Sequence, residues 1–179
     1  MPQRTSDAAG LKELDSEARI EIVNASADEA EAVASILGEA AAWIASRGQK
    51  LWEPGEVSGE AVAGDVSRGM YRFAVIGGER AGCFRFQTED MEFWDDVPHG
   101  DSAFIHRVAV RRAFAGLGVA KAMIDAAKDE ARGLGKRYLR LDCADRPKLR
   151  AVYEAQGFVF HSIRERVPFR VARYQFELS

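Results

Sequence analysis

The chain has 179 residues, of which 47% are hydrophobic and 30% charged, a composition typical of a soluble globular domain with its own core. Its formal net charge of −3 provides no general attraction to nucleic acid or to an anionic membrane. It has no apolar run of about 18 residues and no basic, apolar leader, so we expect a cytoplasmic protein without a membrane or nucleic-acid partner.

The first part of the chain predicts a tail, a strand and two helices. Residues 1–18 are polar and predict a flexible N-terminal tail, followed by one domain over residues 19–179. Residues 20–25 predict a short strand. Residues 28–46 predict an Ala-rich helix, because apolar side chains recur there at helical spacing. Residues 55–68 predict a second helix.

Strand and helix patterns alternate through the rest of the chain. The sequence Gly77-Gly78 lies between two strand patterns and is typical of a tight hairpin turn. Pro147 suits the first turn of a helix, and Gly157 suits its C-terminal end. In chain order, the predicted elements are strands at 71–76, 81–87 and 104–110, a helix at 117–132, a strand at 138–143, a helix from 147, and strands at 159–167 and 171–178.

The segment between the strand at 104–110 and the next helix predicts a site for a phosphate-bearing ligand. The first helical turn carries N–H groups without intrahelical partners, together with the positive end of the helix dipole. Gly116 and Gly118 lack a Cβ, so a phosphate can approach the backbone closely. The segment is not a P-loop, because Lys121 follows Ala120 rather than a glycine. It also lacks the third glycine of the dinucleotide-binding GxGxxG pattern.

The sequence from Ala115 to Ala120 resembles the acyl-CoA pyrophosphate loop of the GNAT superfamily of N-acetyltransferases. In that family a Q/R-x-x-G-x-G/A pattern follows a strand that ends in an apolar triplet, and the triplet here is Val108-Ala109-Val110. Ala115 replaces the usual Gln or Arg. We expect Arg111 or Arg112 to supply the missing positive charge.

A later segment resembles another signature of the same family, approximately N-x-x-A-x-x-x-Y-x-x-x-G-F. Tyr153, Gly157 and Phe158 match this pattern, whereas Arg146 stands in place of Asn and Leu149 in place of Ala. The two partial matches occur in the order that the family has. The order of the predicted strands and helices also agrees with that of the family, so the resemblance extends over about residues 20–178.

The resemblance implies a single α/β (α+β) domain in which about four helices flank a mixed, centrally splayed sheet of about six to seven strands. It implies an acyl-CoA-dependent N-acetyltransferase that moves an acetyl group from acetyl-CoA directly to a primary amine of a small molecule or peptide, within a ternary complex. The implied acetyl-CoA-binding residues are Val108, Ala109, Val110, Arg111, Arg112, Ala115, Gly116, Leu117, Gly118, Val119, Ala120, Lys121 and Arg146.

Two side chains are candidates for proton transfer. By resemblance, the hydroxyl of Tyr153 reprotonates the departing CoA thiolate, and a backbone N–H, that of Val108, polarises the thioester carbonyl. His106 is the candidate base, because an imidazole takes up and releases protons near neutral pH. Strict alternation along the strand predicts that His106 shares a face with Phe104, Val108 and Val110.

The acceptor pocket is less well specified by the sequence. Trp52 and Trp94 are candidate substrate-binding residues, because a cationic amine can stack on an aromatic ring. The acidic segment 89–96 also favours a cationic amine, or it is a solvated loop that Phe93 and Trp94 pin to the core. Arginines near the C-terminus favour instead an anionic group, or a sheet edge guarded by charge: Arg164, Arg166, Arg170 and Arg173.

Other functions remain open at this level. The loop sequence carries no information about the acyl group, so another acyl-CoA donor fits equally well. Ala115 and Arg146 differ from the residues usual in the family, which also allows a non-catalytic acyl-CoA-binding module. A plain nucleotide-binding domain fits less well, because the Gly77-Gly78 hairpin disagrees with a doubly wound parallel sheet. Cys83 and Cys143 lack metal-site spacing and a nucleophile setting, so we expect free thiols, no metal and no covalent intermediate. A homodimer formed through the final strand is a further expectation.

Overall fold

The computed structural model describes residues 19–179, which form one seven-stranded sheet flanked by four α-helices. The predicted tail at residues 1–18 lies outside the described residues. The strands are β1 (Glu21–Asn24), β2 (Tyr71–Ile76), β3 (Glu79–Gln87), β4 (Ser102–Val110), β5 (Tyr138–Ala144), β6 (Val159–Arg166) and β7 (Phe169–Glu177). The helices are α1 (Ala30–Ala45), α2 (Gly59–Ser67), α3 (Val119–Gly133) and α4 (Pro147–Glu154). The predicted element order and fold class are confirmed.

Local sequence signals explain where the elements begin and end. α2 begins after Ser58, whose hydroxyl accepts a hydrogen bond from a backbone N–H of the first turn at 3.2 Å. The helix predicted over 55–68 starts later than expected, because Pro54–Glu56 forms a separate single turn. Gly77 and Gly78 have positive φ angles of 57° and 85°, which a tight hairpin turn between β2 and β3 requires.

The sheet opens between β4 and β5. The strand order is β1-β2-β3-β4-β5-β7-β6, and β4 and β5 are the parallel pair among otherwise antiparallel neighbours in residues 19–179. Their pairing runs from Ser102–Tyr138 to Phe104–Arg140 and then stops. Beyond it, β4 continues beside β3 and β5 beside β7. The predicted splayed sheet is therefore confirmed, and we call the gap between the two strands the splay.

Each face of the sheet packs against its own pair of helices. On the first face, a core cluster joins α3 and α4 to the sheet, and it includes Phe84, Ile105, Met123 and Leu139. On the opposite face, a second cluster joins α1 and α2 to the sheet, and it includes Leu37, Val62, Tyr71 and Cys83. We call these the α3 face and the α1 face. Within residues 19–179, none of the helices is long and apolar enough to cross a membrane.

A β-bulge in β4 changes which side chains share a face. Arg107 has a φ of 52°, and the register with β3 shifts at this point. Because the bulge inserts an extra residue, Val108 and Val110 pack against the α3-face cluster. His106 instead pairs with Arg85, which lies on the α1 face where it contacts α2. The predicted shared face of His106 with Val108 and Val110 is therefore wrong.

Candidate active site

The turn between β4 and α3 presents a row of backbone N–H groups. Gly116 and Gly118 have positive φ angles of 82° and 78°, which favour glycine, and Gly118 directly precedes α3. The N–H of Ala122 donates to the carbonyl of Gly118 at 3.0 Å and starts the helical hydrogen-bond ladder. The N–H groups of residues 119–121 precede that ladder, and the helix dipole adds positive charge at the same end. This geometry suits the phosphate group that the sequence predicts.

Beside this turn, the backbone of β4 lacks a neighbouring strand on the side of β5, and its pairing with β3 is interrupted by the bulge. Within the described part of the chain, Arg107 and Val108 have no partner residue in β3, because the bulge interrupts the register there. Their other side faces the splay, where β5 no longer pairs with β4. An extended ligand can therefore pair with this stretch of backbone as a strand would.

The arginines predicted to add charge to the turn contact α1 instead. Arg111 donates to Glu39 Oε2 at 2.7 Å and to Ser35 Oγ at 3.0 Å. Arg112 stacks on Trp43, with its guanidinium carbon 4.0 Å from the ring centroid. These contacts correct the expectation that either guanidinium replaces the charge missing from the turn.

Two other predicted acetyl-CoA ligands are also engaged elsewhere. Arg146 directly precedes α4 and donates to the carbonyl of Lys50 at 2.7 Å and to Gln49 Oε1 at 3.3 Å. It therefore fastens the start of α4 to the segment between α1 and α2. Lys121 is exposed and pairs with Asp125 of the same helix at 2.5 Å.

An imidazole between two carboxyl groups lies at the splay on the α1 face. His106 Nε2 lies 3.1 Å from Asp90 Oδ2, and His106 Nδ1 lies 3.4 Å from Asp142 Oδ1. The side chains of His106, Asp90 and Asp142 are 9%, 3% and 11% exposed. Asp142 reaches His106 from β5, on the other side of the gap. We call these three residues the Asp–His–Asp cluster.

The loop before β4 holds Asp90 in place. Its Oδ1 accepts hydrogen bonds from the N–H groups of Glu92 at 2.9 Å and Phe93 at 3.0 Å, which leaves Oδ2 facing the imidazole. The facing atoms of the cluster are buried and close together. Within residues 19–179, however, Asp90 Oδ2, His106 Nε2 and Asp142 Oδ1 have no hydrogen-bond partner, because the angles between the facing groups are unfavourable.

The two carboxyl groups of the cluster differ in acidity. Burial opposes ionisation of Asp90, but His106 and the two backbone N–H groups outweigh it, so the pKa of Asp90 lies below its ordinary value. Burial raises the pKa of Asp142, and the charge of His106 offsets this only in part. Carboxyl groups of unequal acidity on both sides of one imidazole suit the holding and passing of a proton.

The same three residues offer donor atoms for a metal ion. These atoms all lie within 4.8 Å of one another. However, the two carboxylates contact different nitrogens of the ring, whereas an ion bonds to only one of them. The cluster therefore suits proton transfer better than metal coordination, and the absence of a metal stays a prediction.

Tyr153 reaches the region of the splay from α4. It is half-buried against the α3-face cluster, and its ring meets that of Phe158 edge-on with centroids 6.2 Å apart. Burial raises the pKa of its phenol well above the usual value, and the nearby Cys143 and Asp142 raise it further. The phenol is therefore protonated at neutral pH and can donate a proton.

Both cysteines are buried and free. Burial raises the pKa of Cys83 and of Cys143 to about 12. A thiol with such a pKa is not a thiolate nucleophile at neutral pH. Neither residue therefore suits a covalent acetyl intermediate.

Trp94 is a core residue. Its side chain is 0% exposed, and its ring packs against Phe104 and His161 with centroids 6.1 and 5.2 Å apart. The guanidinium groups of Arg173 and Arg140 lie 4.6 and 5.2 Å from the centroid of the same ring. The prediction that Trp94 binds substrate is therefore wrong, because its ring is covered on all sides. The alternative, that it pins the loop to the core, agrees with the structure.

The acidic loop and the basic strands β6 and β7 neutralise each other. Arg173 donates to both carboxylate oxygens of Asp96, at 2.6 and 3.0 Å, and its side chain is 4% exposed. Arg164 and Arg166 both pair with Asp95. The two conflicting signals in the sequence are therefore partners of each other, and neither indicates the charge of the acceptor.

Trp52 lies in the segment between α1 and α2. It is half-buried against the α1-face core and lines a cavity of about 1000 Å³ between α1 and that segment. The guanidinium carbon of Arg107 lies 5.9 Å from its ring centroid. Among the residues that the structure describes, the lining of this cavity does not include the Asp–His–Asp cluster. The role of Trp52 in binding the acceptor stays a prediction.

Sequence analysis missed Asp90 and Asp142. Asp142 was detectable, because it is a carboxylate between the apolar residues Leu141 and Cys143 inside a predicted strand. Asp90 was hidden among other acidic residues of the same loop. Only its hydrogen bonds and burial distinguish it from them.

Comparisons with known proteins agree with this fold. The model of the acetyltransferase (GNAT) family matches residues 32–158. The uncharacterized N-acetyltransferase YesJ of Bacillus subtilis (strain 168) is 28% identical over 141 residues, which are 74% of this chain and 78% of that protein. A GNAT acetyltransferase from Listeria monocytogenes 4b F2365 superposes with a TM-score of 0.73 at 21% identity, over 89% of this chain and 95% of that one. The protein yncA from Salmonella typhimurium, solved with its cofactor acetyl-CoA, superposes with a TM-score of 0.69 at 16% identity, over 90% and 95% of the chains.

Proposed function

This chain belongs to the acetyltransferase (GNAT) family, and we propose that it transfers the acetyl group of acetyl-CoA directly to a primary amine of a small molecule or peptide. One observation carries this proposal: His106 and Asp142 meet across the splay, beside the unpaired backbone of Arg107 and Val108. A group that can accept a proton therefore lies next to backbone that can hold a thioester. The relative named an N-acetyltransferase supports a nitrogen acceptor, and the similar structure solved with acetyl-CoA supports this donor.

Acetyl-CoA would lie along the backbone of β4 and the turn before α3. It supplies the activated acetyl thioester when bound. The N–H groups of residues 119–121 would hold its pyrophosphate, because they start a helix and have no partner within it. The N–H of Val108 would polarise the thioester carbonyl at the bulge.

His106 would take the proton from the acceptor amine. An ammonium is not a nucleophile, so a base must remove a proton before the nitrogen can attack the thioester. Asp90 would orient the imidazole and stabilise its protonated form from the Nε2 side. Nδ1 faces Asp142, so the proton would reach it through this carboxyl group, which gives one proton to the ring as it takes one from the amine.

Tyr153 would return a proton to the departing thiolate of CoA. Its phenol is protonated at neutral pH because burial raises its pKa. Neither Tyr71 nor Tyr174 has Asp142 or Cys143 among the charges acting on its hydroxyl. The transfer would be direct, since the pKa of each cysteine thiol is raised to about 12.

Release of free CoA thiol tests this function. The full chain is mixed with acetyl-CoA and each member of a panel of primary amines, and thiol release is followed with and without the amine. We expect release that depends on an amine and is unchanged by EDTA, since no step uses a metal. If acetyl-CoA raises the melting temperature but no amine causes release, the chain is an acyl-CoA-binding module instead.

Two broader features complete the proposal. The free, buried thiols of Cys83 and Cys143 support a reducing compartment such as the cytoplasm. The final strand, β7, is paired on both sides, so the expected homodimer cannot form through it. The edge strand next to it is β6, and its outer edge supports a homodimer because it presents unpaired backbone groups. Light scattering on the purified chain would test the homodimer.

A further inference from the structure

Arg107 carries a positive charge that no carboxylate balances within residues 19–179. Its recorded contacts there are a hydrogen bond from Nη1 to the carbonyl of Glu56 at 2.7 Å and the ring of Trp52 at 5.9 Å. Neighbouring arginines differ, since Arg85 pairs with a carboxylate of α2 and Arg111 with one of α1. The Nε and Nη2 donors of Arg107 are left for another group.

The backbone at Arg107 is held in an unusual conformation. Among the non-glycine residues of the described chain, Arg107 is the one with a positive φ, of 52°. Such a conformation persists where the surrounding structure enforces it, and residues held in this way cluster at functional sites. Here the bulge turns the guanidinium towards the α2 side and away from the α3 face.

Tyr71 provides a second unpaired donor close to Arg107. Its side chain is 0% exposed, yet its hydroxyl has no hydrogen-bond partner within residues 19–179. Burial raises the pKa of this hydroxyl to about 12, although the charges of Arg107 and Arg85 act to lower it. The hydroxyl is therefore protonated and uncharged, so it leaves the positive charge of Arg107 unbalanced.

These donors and the Asp–His–Asp cluster are neighbours on the α1 face. Tyr71 pairs with Arg85 in the register of β2 and β3, and Arg85 pairs with His106 in the register of β3 and β4. A row across the sheet therefore runs from a donor-rich end at Tyr71 to an acidic end at Asp142. Such a row is complementary to a molecule with an ammonium group at one end and an anionic group at the other.

We propose that the acceptor carries a carboxylate beside its amine, as a free amino acid does, and that Arg107 binds this carboxylate. The amine would then lie against the Asp–His–Asp cluster. One unbalanced guanidinium matches one carboxylate in charge, and the free Nε and Nη2 donors match its two oxygens. This inference rests on the proposed function, because it names the class of substrate for the same site.

The test compares L-α-amino acids with their own carboxamides as acceptors for the full chain. The two differ in the carboxylate alone, and the amine of the carboxamide is the less basic, which by itself favours the carboxamide. We expect kcat/KM for the acid to exceed that for the carboxamide by about tenfold or more, the size of a hydrogen bond to a charged group. Equal values, or a preference for the carboxamide, would overturn the inference.

Variants then assign the preference to residues. Arg107→Gln should lower kcat/KM for the acid more than that for the carboxamide and so bring the ratio of acid to carboxamide close to one, because the carboxylate contact is lost. Arg107→Lys should keep part of the preference. Tyr71→Phe should leave both the preference and the stability unchanged, because the covered hydroxyl has no partner to lose.

Arg47→Gln is the matched control. Arg47 is an exposed arginine at the end of α1 that stacks on Trp43, so its loss removes one positive charge from the same side of the molecule. It should leave the ratio unchanged, and an equal loss in this control would trace the preference to net charge and overturn the role of Arg107. Thiol release with carboxamides but no preference for acids would overturn this inference alone. If none of the amines causes thiol release, the proposed function itself is overturned.

Discussion

The two sides of the splay are built from different parts of the chain. The proposed acetyl-CoA side is a turn of consecutive residues, in which Gly116 and Gly118 set the backbone and the first N–H groups of α3 have no partner within the helix. The acceptor side is built from side chains far apart in sequence. His106 meets Asp90 and Asp142 there, and it comes from a different strand or loop than either of them.

This difference explains which signals in the sequence could be trusted. A site made of backbone needs only a short motif, because its geometry is set by the residues themselves. A site made of side chains depends on which residues are brought together by the fold. Asp96 and Arg173 illustrate this, since each suggested a different substrate charge while the two are paired across 77 residues.

Removal of Trp94 is expected to have the largest effect, and it tests whether the acceptor-side loop is structural. Trp94→Ala should lower the free energy of unfolding by about 3–5 kcal/mol, because the buried ring packs against Phe104, His161 and two guanidinium groups. Urea denaturation measures this change. Trp94→Phe should recover much of the loss. Unchanged stability with a raised KM for the acceptor would restore Trp94 as a substrate-binding residue.

Tyr153→Phe separates chemistry from binding at the splay. We expect kcat to fall about ten- to a thousandfold, because no phenol remains to protonate the departing thiolate. The affinity for acetyl-CoA should change little, since the ring still packs beside Phe158. Steady-state kinetics with calorimetry of acetyl-CoA binding checks both values. A kcat equal to that of the unmodified chain would remove Tyr153 from the mechanism.

Gly118→Ala affects the backbone-built side alone. A Cβ at this position meets no atom within 4 Å, so the change acts through the φ of 78° and should cost about 1–2 kcal/mol of stability. The affinity for acetyl-CoA should fall several-fold, because the turn that presents its N–H groups is distorted. Gly133→Ala at the end of α3 is the control, since that position is also open and has no positive φ. Equal affinities for the two variants would contradict a binding role for the turn.

The smallest expected effect is a dependence of stability on acid pH. Hydrogen bonding to Arg173 lowers the pKa of Asp96 from 3.8 to about 2. A lowered pKa in the folded state means that the pair stabilises the protein fully above about pH 4 and that this contribution is lost as the pH falls towards 2. Asp96→Asn should therefore flatten the fall in stability over this range, whereas Asp129→Asn, an exposed carboxylate of α3, should not. Denaturation curves at several pH values compare the two.

Much of the fold was predictable because glycine and proline mark its boundaries. Gly77-Gly78, Pro147 and Gly157 fixed a hairpin turn and both ends of α4. The bulge at Arg107 was not predictable, since no glycine marks it and alternation gave the wrong face for Val108. Its positive φ arises from tertiary structure rather than from local preference.

Less of the candidate site was predictable than of the fold. His106 was identified by its chemistry, but its two carboxyl partners were not, because Asp90 resembles its acidic neighbours in sequence. Trp94 was misassigned because an aromatic residue within an acidic loop looks the same whether it faces solvent or the core. Its burial depends on β6 and β7, which follow much later in the chain.

The pH dependence of kcat/KM for His106→Ala tests the central claim most directly, that the Asp–His–Asp cluster takes the proton from the acceptor. With the unmodified chain, we expect the rate to fall as the pH is lowered and the base becomes protonated. In His106→Ala, kcat/KM should be lower by about a hundredfold or more, and the limb of the profile that the base contributes should be lost. Superimposable profiles for the two proteins, with similar values of kcat/KM, would contradict the account.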